Sequence, residues 1–332
     1  NNPCSGEESR TQTEKNVGGI MVAIYGAGLA GLLAANMLRG MSPSVFEAQD
    51  SLPNNHGALL RFRSDKAGAA CGIPFKKVHV TKAIKYDGKI TTEPNLSLSN
   101  MYSQKVTGSI MSRSINNLSA ASRYIAPWHL IRDMSMGAEI SYNMNLSEHS
   151  IANTSGPIIS TIPMPVLMKI VGWDEIPEFP KQKIYTIRAT IDQPDCDIYQ
   201  TIYYPDPTVP HYRVSVIGNV VICEAAVPID SKPAPHIMSI LMDDFGFTPR
   251  KITNITSSTQ EYGKIRPIDE RLRKEFIFQM TTQHNIYSVG RFATWRQILL
   301  DDVVDDIKVV EEFIRGQSDY ARWMHSQKGE NQ

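Results

Sequence analysis

Three glycines with dinucleotide-binding spacing give the clearest chemical signal in the chain. Gly26, Gly28 and Gly31 form the pattern GAGLAG. This pattern follows the apolar run Met21–Tyr25 and opens a segment of helical spacing. In such a turn the first glycine permits a tight bend, the second lets backbone amides reach a pyrophosphate, and the third allows close packing of helix on strand. The anion then lies at a helix N-terminus, where free N–H groups and the helix dipole favour negative charge.

An acid at the end of the next predicted strand strengthens this interpretation. Glu47 ends the strand Ser44–Glu47 and lies 21 residues after Gly26. At this position a carboxylate accepts hydrogen bonds from the adenosine ribose hydroxyls and repels a 2′-phosphate, which argues against NADP. The alternative is an ordinary strand–helix turn with an incidental glutamate.

A second glycine motif lies near the other end of the chain. Ile286–Arg291 is predicted to be a strand ending in Gly290-Arg291, followed by a loop and a helix that begins at Asp301-Asp302. A dinucleotide protein that leaves its first sheet for a second domain and then returns to complete the site is more typical of FAD proteins than of NAD dehydrogenases.

Three segments together resemble a known family. The pattern GxGxxGxxxA…E, the middle segment GPIISTIPMP and the late segment SVGRFATW…DDVVDD resemble FAD-dependent amine oxidases, protoporphyrinogen oxidases and UDP-galactopyranose mutases, in a short version similar to FAD proteins of tailed phages. The resemblance implies an FAD-dependent, oxidase-like oxidoreductase. Its expected fold is α/β: a Rossmann-like FAD-binding domain, with a parallel sheet carrying GxGxxG, and an inserted, mainly antiparallel β substrate domain.

The resemblance also implies contacts with FAD. The glycine turn would face the pyrophosphate, and Glu47 would face the ribose. One arginine would contact a phosphate or the flavin. The start of the last helix would face the pyrimidine edge of the flavin, where the helix dipole stabilises negative charge on the reduced ring. The expected cofactor-binding residues are Gly26, Gly28, Ala30, Gly31, Glu47, Arg61, Arg63, Gly290, Arg291, Asp302 and Val303. For the two arginines a solvated charged face is the alternative, and for Asp301 and Asp302 ordinary first-turn acids.

Candidates for the substrate side lie in two places. The segment Asp197–Arg213 concentrates tyrosines and ends in an arginine that could hold a carboxylate or phosphate through two parallel hydrogen bonds. The loop after Gly290-Arg291 adds an aromatic and a cationic side chain. The candidate catalytic residues are Tyr203, Arg213, Trp295 and Arg296. Packing between sheet layers is the alternative for the tyrosine segment, and Trp128 and His129 are weaker candidates.

The predicted elements divide the chain into two domains. Alternating residues from Ile184 to Val227 predict antiparallel strands, and Leu118–Met134 is predicted to be helical with a possible break at Pro127. A polar tail over 1–20 precedes the first element. The FAD-binding domain is predicted over 21–75, 115–172 and 280–332, and the substrate domain over 76–114 and 173–279.

Composition excludes several classes. The 332 residues carry 34 basic and 34 acidic side chains, and zero net charge argues against a general nucleic-acid coat. Cys4, Cys71, Cys196 and Cys223 form no CxxC, so we expect reduced thiols in a cytoplasmic protein (host cytoplasm if it is phage-encoded). The eight histidines show no HxH or HExxH spacing, so no metal is expected, and no apolar stretch approaches the ~18 residues of a membrane span. The lysine-rich Lys76–Lys89 hairpin could meet DNA phosphates, although a solvated hairpin is favoured.

Several functions fit these observations. The leading hypothesis is hydride transfer from a small amine-bearing substrate to flavin, and the phage resemblance suggests an aminoacyl-modified thymine in DNA hypermodification. A mutase or lyase that uses reduced flavin without net oxidation is the second, and a nucleotide-binding protein without catalysis is the third. The sequence contains no second GxGxxG pattern, so a separate NAD(P)H-binding domain is not expected.

Overall fold

The computed structural model describes residues 20–53, 56, 60–110, 115–192, 198–229 and 232–328. Residues 1–19 of the predicted tail, including Cys4, and also Cys196 therefore lie outside the described residues. The strands are β1 (Ala23–Tyr25), β2 (Ser44–Phe46), β3 (Arg61–Phe62), β4 (Lys76–Tyr86), β5 (Lys89–Thr91), β6 (Ala121–Ile125), β7 (Glu139–Ser141), β8 (Ile158–Ser160), β9 (Lys181–Ile191), β10 (Ile198–Tyr203), β11 (His211–Ile217), β12 (Val220–Ala225), β13 (Ile252–Ile265) and β14 (Ile286–Ser288). The helices are α1 (Leu29–Met37), α2 (Lys66–Cys71), α3 (Leu96–Thr107), α4 (Leu130–Ser135), α5 (Glu148–Asn153), α6 (Met164–Ile170), α7 (Pro233–Asp243), α8 (Glu270–His284) and α9 (Leu300–Lys328), with a short 3₁₀ helix at Arg39–Met41.

Sheet A carries the glycine motif at the end of its central strand. Its order is β14-β8-β1-β2-β7, and every pair is parallel. Strands β1 and β8 are mainly apolar and buried because helices cover both faces of the sheet there, whereas the edge strand β7 is largely exposed. Helices α1, α4 and α9 bury Leu33, Met134 and Ile307 on one side, while α6 and α8 bury Leu167 and Phe276 on the other. The predicted parallel sheet is confirmed.

Sheet B is larger and mixed. Its order is β13-β9-β12-β11-β10-β4-β6-β3, with β5 paired to β4. Its pairs are antiparallel except for β10 with β4. One face is apolar and packs against α7 through Ile237, Ile240 and Leu241. The opposite face is called here the polar face, and it is defined by Arg61, Thr201, Tyr203, Arg213, Ser215 and Glu224. The predicted β-rich block and the β4–β5 hairpin are confirmed.

The segment 118–134 differs from its predicted helix. It contains strand β6, then Pro127, then α4. Two causes explain the difference. Pro127 disfavours helical geometry at Ala126, and β6 pairs along β4, with Val78 opposite Arg123, a tertiary contact that local periodicity cannot reveal.

Helix α3 occupies a stretch in which the sequence shows no clear element. Asn95 caps it, because its side-chain oxygen accepts a hydrogen bond from the Leu98 N–H at 2.9 Å. Gly108 ends it in the left-handed conformation, with φ of +73°.

The predicted domain ranges and the observed sheets divide the chain differently at three elements. β3 and β6 belong to sheet B although they lie within the range predicted for the FAD-binding domain. α8 lies mostly in the range predicted for the substrate domain, yet it packs beside sheet A through Phe276. The domain division itself stays a prediction. Within the described residues, no helix is both long enough and apolar enough to cross a membrane.

Candidate functional site

Two of the three motif glycines are required by the protein's own backbone. Gly26 has φ of +99°, and a Cβ there would lie 2.4 Å from Thr161 Oγ1. That hydroxyl donates to the carbonyl oxygens of Tyr25 and Gly26, so it is fixed in place. A Cβ on Gly31 would lie 1.9 Å from the Gly26 carbonyl oxygen. Turn and helix therefore pack without room for either side chain.

Gly28 differs from its two neighbours in the motif. Its backbone is extended, with φ of −72° and ψ of −178°, which any residue can adopt. A Cβ there would meet no protein atom within 4 Å. The fold itself thus does not require a glycine at position 28. The space that a side chain would occupy there, in front of the turn, is open.

The open space faces the start of α1. Gly28 is the N-cap residue and supplies no side-chain cap, and the first turn holds no acid. The first N–H groups of a helix have no intrahelical partner, so they can bind an anion at this position.

Glu47 lies beside the same turn. Its Oε2 accepts a hydrogen bond from the Ala27 N–H at 2.7 Å, and its Oε1 accepts one from the Gln49 N–H at 3.0 Å. Each carboxylate oxygen has a further lone pair for another donor. The carboxylate is thus fixed in orientation next to the glycine turn, as an acceptor for ribose hydroxyls requires.

The second glycine motif touches the first. Gly290 has φ of +96°, and a Cβ there would lie 2.7 Å from Cβ of Ala30 in the first turn of α1. The structure therefore brings residues 260 positions apart into direct contact. Arg291, the next residue, lies with its guanidinium 5.7 Å from the centre of the Phe292 ring.

The start of α9 is held by the segment after β3. Asp301 is buried and accepts the Arg63 N–H at 3.0 Å and the Ser64 hydroxyl at 2.6 Å. Asp302 pairs with the Arg63 guanidinium at 2.5 Å and accepts the Leu299 N–H. Val303 points into the core. These contacts give the two acids and Arg63 a structural role at this helix start, and FAD contacts for Arg63, Asp302 and Val303 stay predictions.

Arg61 lies on the polar face of sheet B, away from Arg63. Its Nη1 donates to Thr201 Oγ1 at 3.0 Å, and that oxygen lies 2.9 Å from Ser215 Oγ. Burial lowers the pKa of Arg61. Arg61 lies on the polar face, and Arg63 and Ser64, which follow it in the chain, bind the acids at the start of α9. The start of α9 and the polar face are therefore connected through this short segment.

Arg213 forms a buried ion pair on the same face. Its guanidinium donates to both oxygens of Glu224, and the Tyr212 hydroxyl donates to Glu224 Oε1 at 3.1 Å. Burial alone would raise the pKa of Glu224, but the charges of Arg213 and Lys264 outweigh burial and lower it to about 2. The predicted anchor is therefore already paired within the protein, which disfavours Arg213 as an open anchor for a substrate. Tyr203 packs edge-on against Tyr102, with ring centres 5.4 Å apart.

Trp295 and Arg296 line a cavity of about 450 Å³ at the end of β13. Trp295 is buried, with φ of +47°, and its indole N–H donates to the Arg266 carbonyl oxygen at 2.9 Å. Arg296 pairs with Asp306 on α9. Arg273, which lines the same cavity, pairs with Glu270. Burial and the indole hydrogen bond hold Trp295 in this left-handed conformation, in the loop directly after the second glycine motif.

A further cavity, of about 180 Å³, includes a cationic residue that the sequence analysis missed. Arg188 on β9 stacks over the Trp128 ring, 3.1 Å from its centre, and burial lowers the pKa of Arg188 to about 10. Tyr199 and Ile222 form part of the wall. Arg188 lies on the same side of sheet B as Glu224 and Tyr203. This position follows from strand alternation together with the pairing of β9 with β12, and the pairing is not evident from the sequence.

The lysines of the predicted DNA-binding hairpin are partly engaged by the protein. Lys85 pairs with the buried Asp244, and burial lowers the pKa of Lys82. Lys77 and Lys89 are exposed. DNA contact through this hairpin stays a prediction.

Comparison with known proteins relates the chain by fold. No protein-family model matches it, and no curated protein matches it in sequence. An oxidoreductase from Methanosarcina mazei superposes with a TM-score of 0.53 and 11% identity, over 88% of this chain and 100% of its own. A flavoprotein/dehydrogenase from Cytophaga hutchinsonii gives 0.49 and 12%, over 90% of this chain and 79% of its own. The chain thus shares the fold of the Methanosarcina protein.

Proposed function

We propose that the protein is an FAD-dependent oxidoreductase. One observation carries the proposal: Gly28 leaves open space that the fold does not need, between a helix N-terminus and the fixed Glu47 carboxylate. A dinucleotide uses both features, the first for its pyrophosphate and the second for its adenosine ribose. The contact of Gly290 with Ala30 supports FAD in particular, because it adds the second motif to the same turn.

The residues around the turn have separate tasks in this proposal. The first turn of α1 offsets the pyrophosphate charge, Glu47 orients the ribose, and Arg291 contributes a cation next to the second motif. FAD, when bound, supplies a reversible acceptor for a hydride. The chain's own contribution is to bind the cofactor, orient the substrate and stabilise developing negative charge near the α9 start.

We propose the polar face of sheet B as the substrate side. Arg61 and Arg213 lie on it with Lys82 and Arg123 nearby, against the carboxylate of Glu224. This excess of positive charge favours a substrate that carries an anionic group. The amine-bearing part of the substrate, and the nucleotide-like or phage DNA origin, rest on the sequence resemblance alone.

The experiment uses two matched glycine variants. Gly28→Ala strains neither backbone nor packing, and Gly40→Ala, at an exposed position that is equally open, serves as the control. We expect yellow wild-type protein with one FAD released per chain on denaturation. Gly28→Ala should lose FAD while the melting temperature of the apo-protein is unchanged, and Gly40→Ala should retain it. Equal FAD content in all three proteins, or colourless wild-type protein that binds NAD, would contradict the proposal.

A second measurement separates oxidation from flavin chemistry without net redox. Candidate amines should bleach the flavin anaerobically and yield peroxide in air. Turnover that instead requires dithionite and yields no peroxide would indicate the mutase or lyase alternative.

A further inference from the structure

Two histidines and a cysteine meet on the side of sheet B that faces away from the polar face. His211 begins β11, Cys223 lies on the neighbouring strand β12, and His236 lies in the first turns of α7. One ligand atom from each, a ring nitrogen or Sγ, lies within 4.8 Å of the others. They come from three elements, so their proximity is a product of tertiary packing.

The imidazoles lack the partners that buried polar groups normally have. His211 is 5% exposed, and among the residues that the structure describes neither its Nδ1 nor its Nε2 has a hydrogen-bond partner. Nε2 of His236 is buried and equally unpartnered within the same described set. The His211 ring packs edge-on against Tyr204 and His236, with ring centres 4.3 and 5.2 Å away. A buried polar atom without a partner is costly, which points to a ligand between these groups.

The donor set selects the kind of ligand. Two imidazole nitrogens and one thiolate are the donors that Zn²⁺ prefers, whereas Mg²⁺ and Ca²⁺ prefer oxygen. Bonds of about 2.0–2.1 Å to nitrogen and 2.3 Å to sulfur need only an inward shift on the order of 1 Å from the present separations.

The surroundings provide access for a cation. His211 and His236 form part of the wall of a cavity of about 210 Å³. Its wall also includes the carboxylates of Asp206 and Asp243 and the ion pair between Lys85 and Asp244. The two carboxylates outside that ion pair favour the entry of a divalent cation, and the cavity leaves space for a water as a fourth ligand.

We propose that His211, Cys223 and His236 bind one Zn²⁺. The ion ties α7 to β11 and β12, on the apolar side of sheet B, and is separate from the proposed nucleotide site. The sequence positions 211, 223 and 236 match no zinc-binding spacing, which is why the sequence analysis expected no metal.

The test titrates the full chain, with thiols reduced, with ZnCl₂ and with CoCl₂. We expect one Zn²⁺ per chain by elemental analysis after dialysis, a higher melting temperature with Zn²⁺, and a sulfur-to-cobalt charge-transfer band in the cobalt difference spectrum. His236→Ala removes a direct ligand, so it should weaken Zn²⁺ binding by at least the roughly 10–100-fold that loss of a ligand's supporting partner costs. Cys223→Ser, a nearly isosteric change, should abolish the cobalt band.

Matched controls make the assignment specific. His79→Ala changes an exposed histidine outside the cluster, and Cys71→Ser changes another free thiol. Both should bind Zn²⁺ as the wild type does. Wild-type protein that binds no Zn²⁺ at micromolar concentration would overturn the proposal. So would binding that survives in both His236→Ala and Cys223→Ser with circular dichroism unchanged. FAD content does not enter these readouts, so the proposal fails or stands independently of the proposed function.

Discussion

Replacing Glu224 with glutamine tests how the polar face is held together. The side chain is 3% exposed and accepts hydrogen bonds from Arg213 and Tyr212. Glutamine keeps the volume but removes the charge, so the buried guanidinium of Arg213 loses its counter-ion. Removing one partner of a buried ion pair is strongly destabilising because it leaves an uncompensated charge.

The magnitude follows from the depressed pKa of the carboxyl. A fall from 4.5 to about 2 corresponds to roughly 3 kcal/mol of folding free energy near neutral pH. At about 2.1 cal/mol/K of unfolding entropy per residue, that loss lowers the melting temperature by roughly 4 °C.

The pH dependence gives the sign of the effect. Because the folded-state pKa is lowered, the carboxylate stabilises the fold fully above pH 4.5, and this contribution is lost as the pH falls towards 2. The deficit of Glu224→Gln relative to wild type should therefore shrink to roughly 1 kcal/mol at pH 3. Chemical denaturation of both proteins at pH 7 and pH 3 measures it.

Glu261→Gln serves as the matched control. Glu261 pairs with Lys183 and is 52% exposed. Solvent screens an exposed ion pair, so this variant should be close to wild type. A Glu224→Gln deficit under about 1 kcal/mol, or a deficit that is the same at both pH values, would refute the assignment of a charge-stabilised buried pair.

Three further variants separate cofactor binding from folding. Arg291→Ala should lower FAD affinity by about 1–3 kcal/mol, the range for a hydrogen bond to a charged group, with little change in apo-protein melting; an early-melting apo-protein with unchanged FAD affinity would show a structural clamp instead. Glu47→Arg should lose FAD on gel filtration, because the cation cannot accept ribose hydrogen bonds; full retention would rule out the ribose role. Gly290→Ala should lower apo-protein stability in denaturant titration, since its Cβ would lie 2.7 Å from Ala30; wild-type stability would be inconsistent with that contact.

The sequence predicted best what is encoded locally. The strand, glycine turn and helix of the first motif lie within about 15 residues, and Gly31 packs against the Gly26 carbonyl oxygen inside the same turn, so the parallel sheet could be predicted from the pattern. The close approach of Thr161 to Gly26 joins distant segments and could not be predicted from it. The hairpin at Asp87-Gly88 is local in the same way.

What the sequence did not predict depends on contacts between distant segments. β6 is a strand because β4 pairs with it, although its residues are compatible with a helix. The residue type of Arg213 suggests that it could bind an anionic substrate. Only the register of β11 with β12 shows that Glu224 lies opposite it. Arg188 and the His211, Cys223 and His236 cluster likewise arise from packing of separate elements, which residue spacing does not report.

The contact between Gly290 and Ala30 affects the order in which a newly made chain can assemble. β14 adds to the sheet beside β8, which in turn lies beside β1, so β8 lacks its second strand neighbour until residue 288 has been made. At roughly 5–20 residues per second, the 260 positions between Ala30 and Gly290 take about 13–50 s to translate. Until then the buried strand β8 has one side unpaired, and such an unpaired edge is a site for aggregation. A cofactor that contacts both glycine motifs, as proposed above, can therefore bind only after residue 290 has been made.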